Sequence, residues 1–148
     1  MQLSTAIVLL TGGGGGIGRA MAGDLLEHGA SVLIVDRNPD AVQAAVDSMY
    51  AHGERVAGLT ADVTQLAGRA RICAEAQRWR GGVNVLINAA GVNHFGLFEE
   101  ATPEQIETAF AVNVQAPIHL CRSLLSHLRR QPAARIVNVG SVFGGIGY

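Results

Sequence analysis

Short runs rich in valine and isoleucine recur along the chain, each followed by a longer stretch in which apolar residues return every three or four positions. The short runs predict strands at residues 6–10, 31–36, 55–59, 83–88 and 135–139. The longer stretches predict helices at 16–28, 40–51, 64–79 and 103–129, the last of them broken or bent between Asn113 and Pro117. Strand and helix in alternation make β-α-β units around a parallel sheet. The strands are apolar at nearly every position, as strands covered on both faces are, whereas one wet face would impose alternation. Gly29 and Gly53 stand just past two of the helices, where a left-handed residue ends a helix well. Thr102-Pro103-Glu104-Gln105 places a capping hydroxyl before a first-turn proline. No linker and no repeat is visible, so one domain over residues 1–148 is expected, with strand order 3-2-1-4-5 and right-handed crossovers.

Composition narrows the function by exclusion. Among 148 residues, 11 basic side chains face 12 acidic ones, and no run of like charge suggests a nucleic-acid or membrane-surface partner. No stretch approaches the roughly 20 apolar residues of a membrane span, and the first residues lack the pattern of a signal peptide. Cys73 and Cys121 lie far apart, and the five histidines show no paired spacing, so reduced thiols in a cytoplasmic protein without a metal site are expected. Every basic residue is arginine. No lysine amine is available within these residues for chemistry.

The strongest chemical feature is Thr11-Gly12-Gly13-Gly14-Gly15-Gly16-Ile17-Gly18, between the first strand and the first helix. Glycines there let main-chain N–H groups and the helix N-terminus approach a pyrophosphate closely. Asp36 closes the second strand, where a carboxylate can accept hydrogen bonds from both ribose hydroxyls of an adenosine. A P-loop is excluded, because Gly18 is followed by Arg19 rather than by lysine. A Rossmann-like, doubly wound sheet holding a dinucleotide or another adenosine ligand is the architecture these residues predict.

With Asp62-Val63 after the third strand, Asn88-Ala89-Ala90-Gly91 at the end of the fourth, Asn113 in the fourth helical region and Ser141 after the fifth strand, the chain resembles the short-chain dehydrogenase/reductase family over essentially its whole length. The resemblance implies an NAD(P)-dependent oxidoreductase that moves a hydride between nicotinamide and an alcohol or carbonyl carbon. It implies cofactor contacts from Gly12, Gly15, Gly16, Ile17 and Gly18, from Asp36 and Arg37, from Asp62 and Val63, and from Asn88 and Gly91. Asp62 either accepts from the adenine amine or caps the following helix, and Asn88 ties neighbouring strands while Gly91 keeps the backbone open beside the ribose. Two catalytic positions are implied: Ser141 polarises the substrate oxygen, and Asn113 serves a proton relay through a water on its main-chain carbonyl. Asp36 would repel a 2′-phosphate, so NAD is favoured over NADP, although the Arg37 guanidinium would reach that phosphate if the aspartate turned away. His94, Phe95, Phe98 and Phe143 fall in loops near the C-terminal edge of the sheet, where a small-molecule substrate would enter. The apolar residues Ile118, Leu120, Leu124, Leu125 and Leu128 spread widely enough to cover both the sheet and a second copy, in keeping with the family's homo-oligomers.

The family's acid–base pair, a tyrosine with a lysine four positions later, is not present. Tyr148 stands only seven residues after Ser141 with no lysine to follow, so it is not expected to be the proton donor. The sequence is expected to be the N-terminal part of a longer enzyme, truncated after the fifth strand and inactive alone, with the pair beyond Tyr148. The alternatives are a non-catalytic dinucleotide-binding module and, more remotely, a methyltransferase using the glycine turn for its adenosyl ligand. An intact mass of the protein from its source is expected well above 15.4 kDa; a value near that figure would favour the non-catalytic module.

Overall fold

Strands β1 (Ile7–Thr11), β2 (Ser31–Asp36), β3 (Val56–Thr60), β4 (Val85–Asn88) and β5 (Arg135–Asn138) form one parallel sheet in the order β3-β2-β1-β4-β5. The structure is a computed structural model and describes residues 1–141; Phe143 and Tyr148 lie outside the described residues. The register sets Leu9 between Leu33 and Leu86 and Leu10 between Ile34 and Ile87. Alternate side chains therefore serve two cores. Val8, Leu10, Val32 and Ile34 pack on one face against Ala22 and Leu26 of α1 (Gly16–Glu27) and Ala45 of α2 (Pro39–Ser48). Leu9, Leu33, Val35 and Leu86 pack on the other against Ile72 and Ala76 of α3 (Leu66–Arg78) and Leu120, Leu124 and Leu128 of α5 (Ala116–Arg129). The three central strands are covered on both faces, as their unbroken apolar character predicts.

The edge strands depart from that expectation. All four residues of β5 are exposed, and β3 is buried only at Val56. Among the described residues each has one neighbouring strand, and α5 approaches β5 without burying it.

Helix boundaries follow local chemistry. Asn38 caps α2, its Oδ1 accepting from the N–H groups of Asp40 (3.0 Å) and Ala41 (3.3 Å), with Pro39 in the first turn. This helix ends at Ser48, earlier than expected, and the chain turns through a short 3-10 segment, Tyr50–Arg55, in which Gly53 takes φ +57°. Helix α3 starts at Leu66, two residues later than expected, because Asp62 Oδ1 accepts from both the Thr64 N–H (2.8 Å) and its hydroxyl (2.7 Å) and holds the chain in a turn. Asp62 thus braces the turn ahead of α3, while Gln65 occupies the cap position.

The long helical stretch is divided, as expected. Helix α4 (Pro103–Phe110) opens on a reciprocal capping box in which the Gln105 N–H donates to Thr102 Oγ1 and the Thr102 N–H donates to Gln105 Oε1. It passes into a π turn, Ala111–Gln115, before α5 begins. The Ala116 N–H reaches back five residues to the Ala111 carbonyl, and Pro117 has no N–H to give to Asn113, four residues before it.

The apolar residues of α5 divide by face. Leu120, Leu124 and Leu128 are buried against the sheet, while Ile118 (61% exposed) and Leu125 (41%) point outward. Leu124→Ala is therefore expected to cost about 2–5 kcal/mol in urea unfolding. Leu125→Ala, one residue away, is expected to cost ~1 kcal/mol or less.

Candidate dinucleotide site

The site is built where β1 turns into α1. Gly12 takes φ +71°, and a Cβ there would lie 2.7 Å from both Cα and N of Ala90, so only glycine lets the turn pass beneath the exit of β4. A Cβ on Gly18 would strike the Gly12 carbonyl oxygen and come within 2.8 Å of Gly13 Cα. The first turn of α1 consequently rests directly on the end of β1. Gly15 caps this helix without a side-chain hydrogen bond, so the N–H groups of its first turn are left for an anion.

Asp36 is fixed beside that turn. Its Oδ2 accepts from the Gly14 N–H (3.2 Å) and its Oδ1 from the Asn38 N–H (3.1 Å). Each oxygen retains a lone pair for a further donor. On the opposite side, the buried Thr11 hydroxyl accepts from the N–H groups of Ala89 and Ala90 (3.2 Å each), and so pins the exit of β4 over the glycine turn. The Asn113 amide performs a similar task one step further along, accepting from the Val92 N–H (2.9 Å) and donating to the Val92 carbonyl (2.8 Å).

These groups enclose a cavity of about 310 Å³ at the C-terminal edge of the sheet, where open α/β sheets place their ligands. One wall is the glycine turn, with Gly12, Gly15, Gly16, Ile17 and Gly18. Asp36 and Arg37 form the rim at the end of β2, Asp62 and Val63 the far end, and Gly91 the side beneath β4. A Cβ on Gly16 would meet no protein atom within 4 Å, so the space in front of the helix N-terminus is open. A cradle of this kind, with a fixed carboxylate at one rim and apolar surface at Val35, Ala61 and Val63, suits the pyrophosphate, ribose and adenine of a dinucleotide.

Three of the expected positions do not border the cavity. Asn88 is buried beneath it, and its Nδ2 donates to Asn138 Oδ1 (2.8 Å) and Cys121 Sγ (3.6 Å), so it ties β4 to β5. Asn113 is exposed and acts on the cavity through Val92. Ser141 is exposed three residues past β5. The Thr11 hydroxyl was legible only as the first residue of a motif; its role as a double acceptor depends on where β4 ends. Partial burial pushes the Cys73 thiol up from its ordinary value. Among the described residues no three His, Cys, Asp or Glu side chains cluster as metal ligands, and no helix is long and apolar enough to cross a membrane.

Fold and sheet order together define a Rossmann-like α/β domain. More specifically, the family model described as short chain dehydrogenase matches residues 6–148, and the chain belongs to that family. It is 34% identical to the 2,3-dihydro-2,3-dihydroxybenzoate dehydrogenase of Bacillus subtilis over 95% of its own length and 54% of that protein's. It is 32% identical to elsinochrome reductase 1 of Elsinoe fawcettii, over 97% and 53% of the two lengths. A short chain dehydrogenase/reductase from Burkholderia phymatum, solved in complex with NAD, superposes with a TM-score of 0.92 at 30% identity, covering 100% of this chain and 53% of that one. The chain spans about half the length of the curated relatives it matches.

Two glycine variants separate packing from ligand space. Gly18→Ala is expected to cost about 1–3 kcal/mol of stability, because the helix must lift off the turn. Gly16→Ala is expected to unfold at the wild-type urea concentration yet to bind NADH about tenfold or more weakly in calorimetry, since its methyl group enters only the cavity.

Proposed function

We propose that this chain binds NAD(H) and is the cofactor-binding part of an oxidoreductase interconverting an alcohol and a carbonyl compound. The observation that carries the reading is Asp36, whose two carboxylate oxygens are each anchored by a main-chain N–H at the rim facing the glycine turn. So held, the carboxylate suits the two ribose hydroxyls of adenosine and opposes a 2′-phosphate. Arg37 borders the same cavity, but a 2′-phosphate would reach its guanidinium only after Asp36 had left both N–H donors. Gly15 adds no basic side chain.

In this reading Gly12, Gly15, Gly16, Ile17 and Gly18 hold the pyrophosphate, Asp62 and Val63 receive the adenine, and Gly91 leaves room for the second ribose. Bound nicotinamide supplies or accepts the hydride. The Ser141 hydroxyl donates to the substrate oxygen and steadies the negative charge that develops there. The main-chain carbonyl of Asn113, to which Pro117 has no N–H to give, is the acceptor for a relay water, and its side chain keeps the Gly91–Val92 segment in place. The relatives named as a dihydroxybenzoate dehydrogenase and an elsinochrome reductase support a small-molecule alcohol or ketone as substrate. A cytoplasmic homo-oligomer accords with the free thiols and with the outward Ile118 and Leu125 on α5.

Titration with NADH and NADPH tests the assignment. NADH is expected to bind at least about tenfold more tightly, and Asp36→Ser is expected to narrow or reverse the ratio. Tighter binding of NADPH by the unaltered protein would overturn the preference for NAD, and binding without turnover in a full-length chain would favour a non-catalytic module.

A further inference from the structure

Residues 11–20 and 61–70 show the same succession of buried, half-buried and exposed residues, position for position. The backbone repeats as well. The carbonyls of Gly12 and Asp62 accept from the N–H three residues on (3.1 and 3.2 Å), and those of Gly15 and Gln65, the two helix caps, accept from Arg19 and Arg69 (2.8 and 3.0 Å). A Cβ on Gly68 would strike the Asp62 carbonyl oxygen as one on Gly18 would strike that of Gly12. The β3–α3 turn is therefore a second copy of the glycine turn, and Gly68 is its closing glycine. In the sequence only Gly18-Arg19-Ala20 and Gly68-Arg69-Ala70 betray the correspondence.

The two turns are supported differently. The first lies between β2 and β4: the Gly13 N–H donates to the Val35 carbonyl (3.2 Å), the Gly14 N–H to Asp36, and Gly12 lies against Ala90. The second leaves an edge strand, with β2 as its only neighbour among the described residues. There Arg69 Nη1 donates to the carbonyls of Val63 (2.9 Å) and Thr64 (2.6 Å), while Asp62 Oδ1 holds Thr64 from within the turn. Arg19, at the same place in the first copy, makes no such pair, and its Nε is buried without a hydrogen-bond partner among the described residues.

We propose that Arg69 is a positioning residue for the adenosine end of the cofactor, supplying from α3 the support that an interior turn receives from a flanking strand. This deepens the dinucleotide reading and rests on it. The guanidinium binds two carbonyls at once, so it keeps the Asp62–Val63 wall in its binding shape before ligand arrives. Ordering that segment then costs nothing at the moment of binding. Arg69 itself does not border the cavity, so it acts only through the wall.

The experiment compares two halves of the cofactor on the same protein. Arg69→Ala is expected to weaken ADP-ribose about five- to twentyfold in calorimetry and to leave reduced nicotinamide mononucleotide unchanged, with Arg69→Lys recovering part of the loss. Amide hydrogen exchange is expected to quicken at residues 63–65 and not at 12–16. Should Arg69→Ala fail to fold, Arg69→Gln carries the same comparison. Unchanged ADP-ribose affinity would overturn the proposal, and so would an equal loss for both ligands, which marks general destabilisation. If the unaltered protein bound neither NADH nor ADP-ribose, the dinucleotide reading would itself fall, and the proposal with it.

Discussion

Helix α1 can point its N-terminus at the cavity only because Gly18 has no side chain. With a Cβ there, the carbonyl oxygen of Gly12 would be overlapped, and the helix would have to rise from the sheet. That displacement would carry the N–H groups of Gly16 and Ile17 away from the rim of β2. It would also break the alignment in which the Gly14 N–H meets Asp36. The close seating of helix on turn is thus the condition for the glycine cradle, for the fixed carboxylate and for the open space in front of Gly16. Gly68 imposes the same condition on α3, and the Asp62–Val63 wall depends on it in the same way.

The cavity is held by short polar contacts between elements far apart in sequence. Thr11 reaches Ala89 and Ala90, Asn113 reaches Val92, and Asn88 reaches Asn138. A lone hydrogen bond of this kind contributes only about 1 kcal/mol. Here each acts on a strand exit whose position is already set by a buried parallel ladder, so it selects among small displacements rather than holding the fold together. Stability resides in the two apolar cores on either face of β1, β2 and β4, and the polar ties convert that rigid sheet into a shaped rim.

Much of the architecture was legible in the chain. Unbroken apolar strands alternating with amphipathic helices determine a parallel sheet, and crossover handedness then leaves few strand orders. Thr102 and Gln105 mark the start of α4, and Asn113 with Pro117 marks the break before α5. These are local effects, in which a residue acts on a backbone no more than four or five positions away. The edge strands were less legible, since apolar character does not reveal which strands will have a neighbour on both sides. The late start of α3 escaped because Asp62 competes with the helix for Thr64 through a turn of its own.

The sequence by itself determined the glycine turn, the carboxylate ending β2 and the family to which they point, because each is a short run whose spacing is its signal. Tertiary structure decided which of the named residues share one cavity. It placed Asn88 between strands and set Asn113 to hold a loop, and it made Thr11 an acceptor for two amides 78 and 79 residues away. It also disclosed that the β3–α3 turn repeats the glycine turn while sharing little sequence with it. The physical reason is that hydrogen-bond partners across a parallel sheet are chosen by register and crossover. These depend on the packing of both faces at once and leave no periodic trace along the chain.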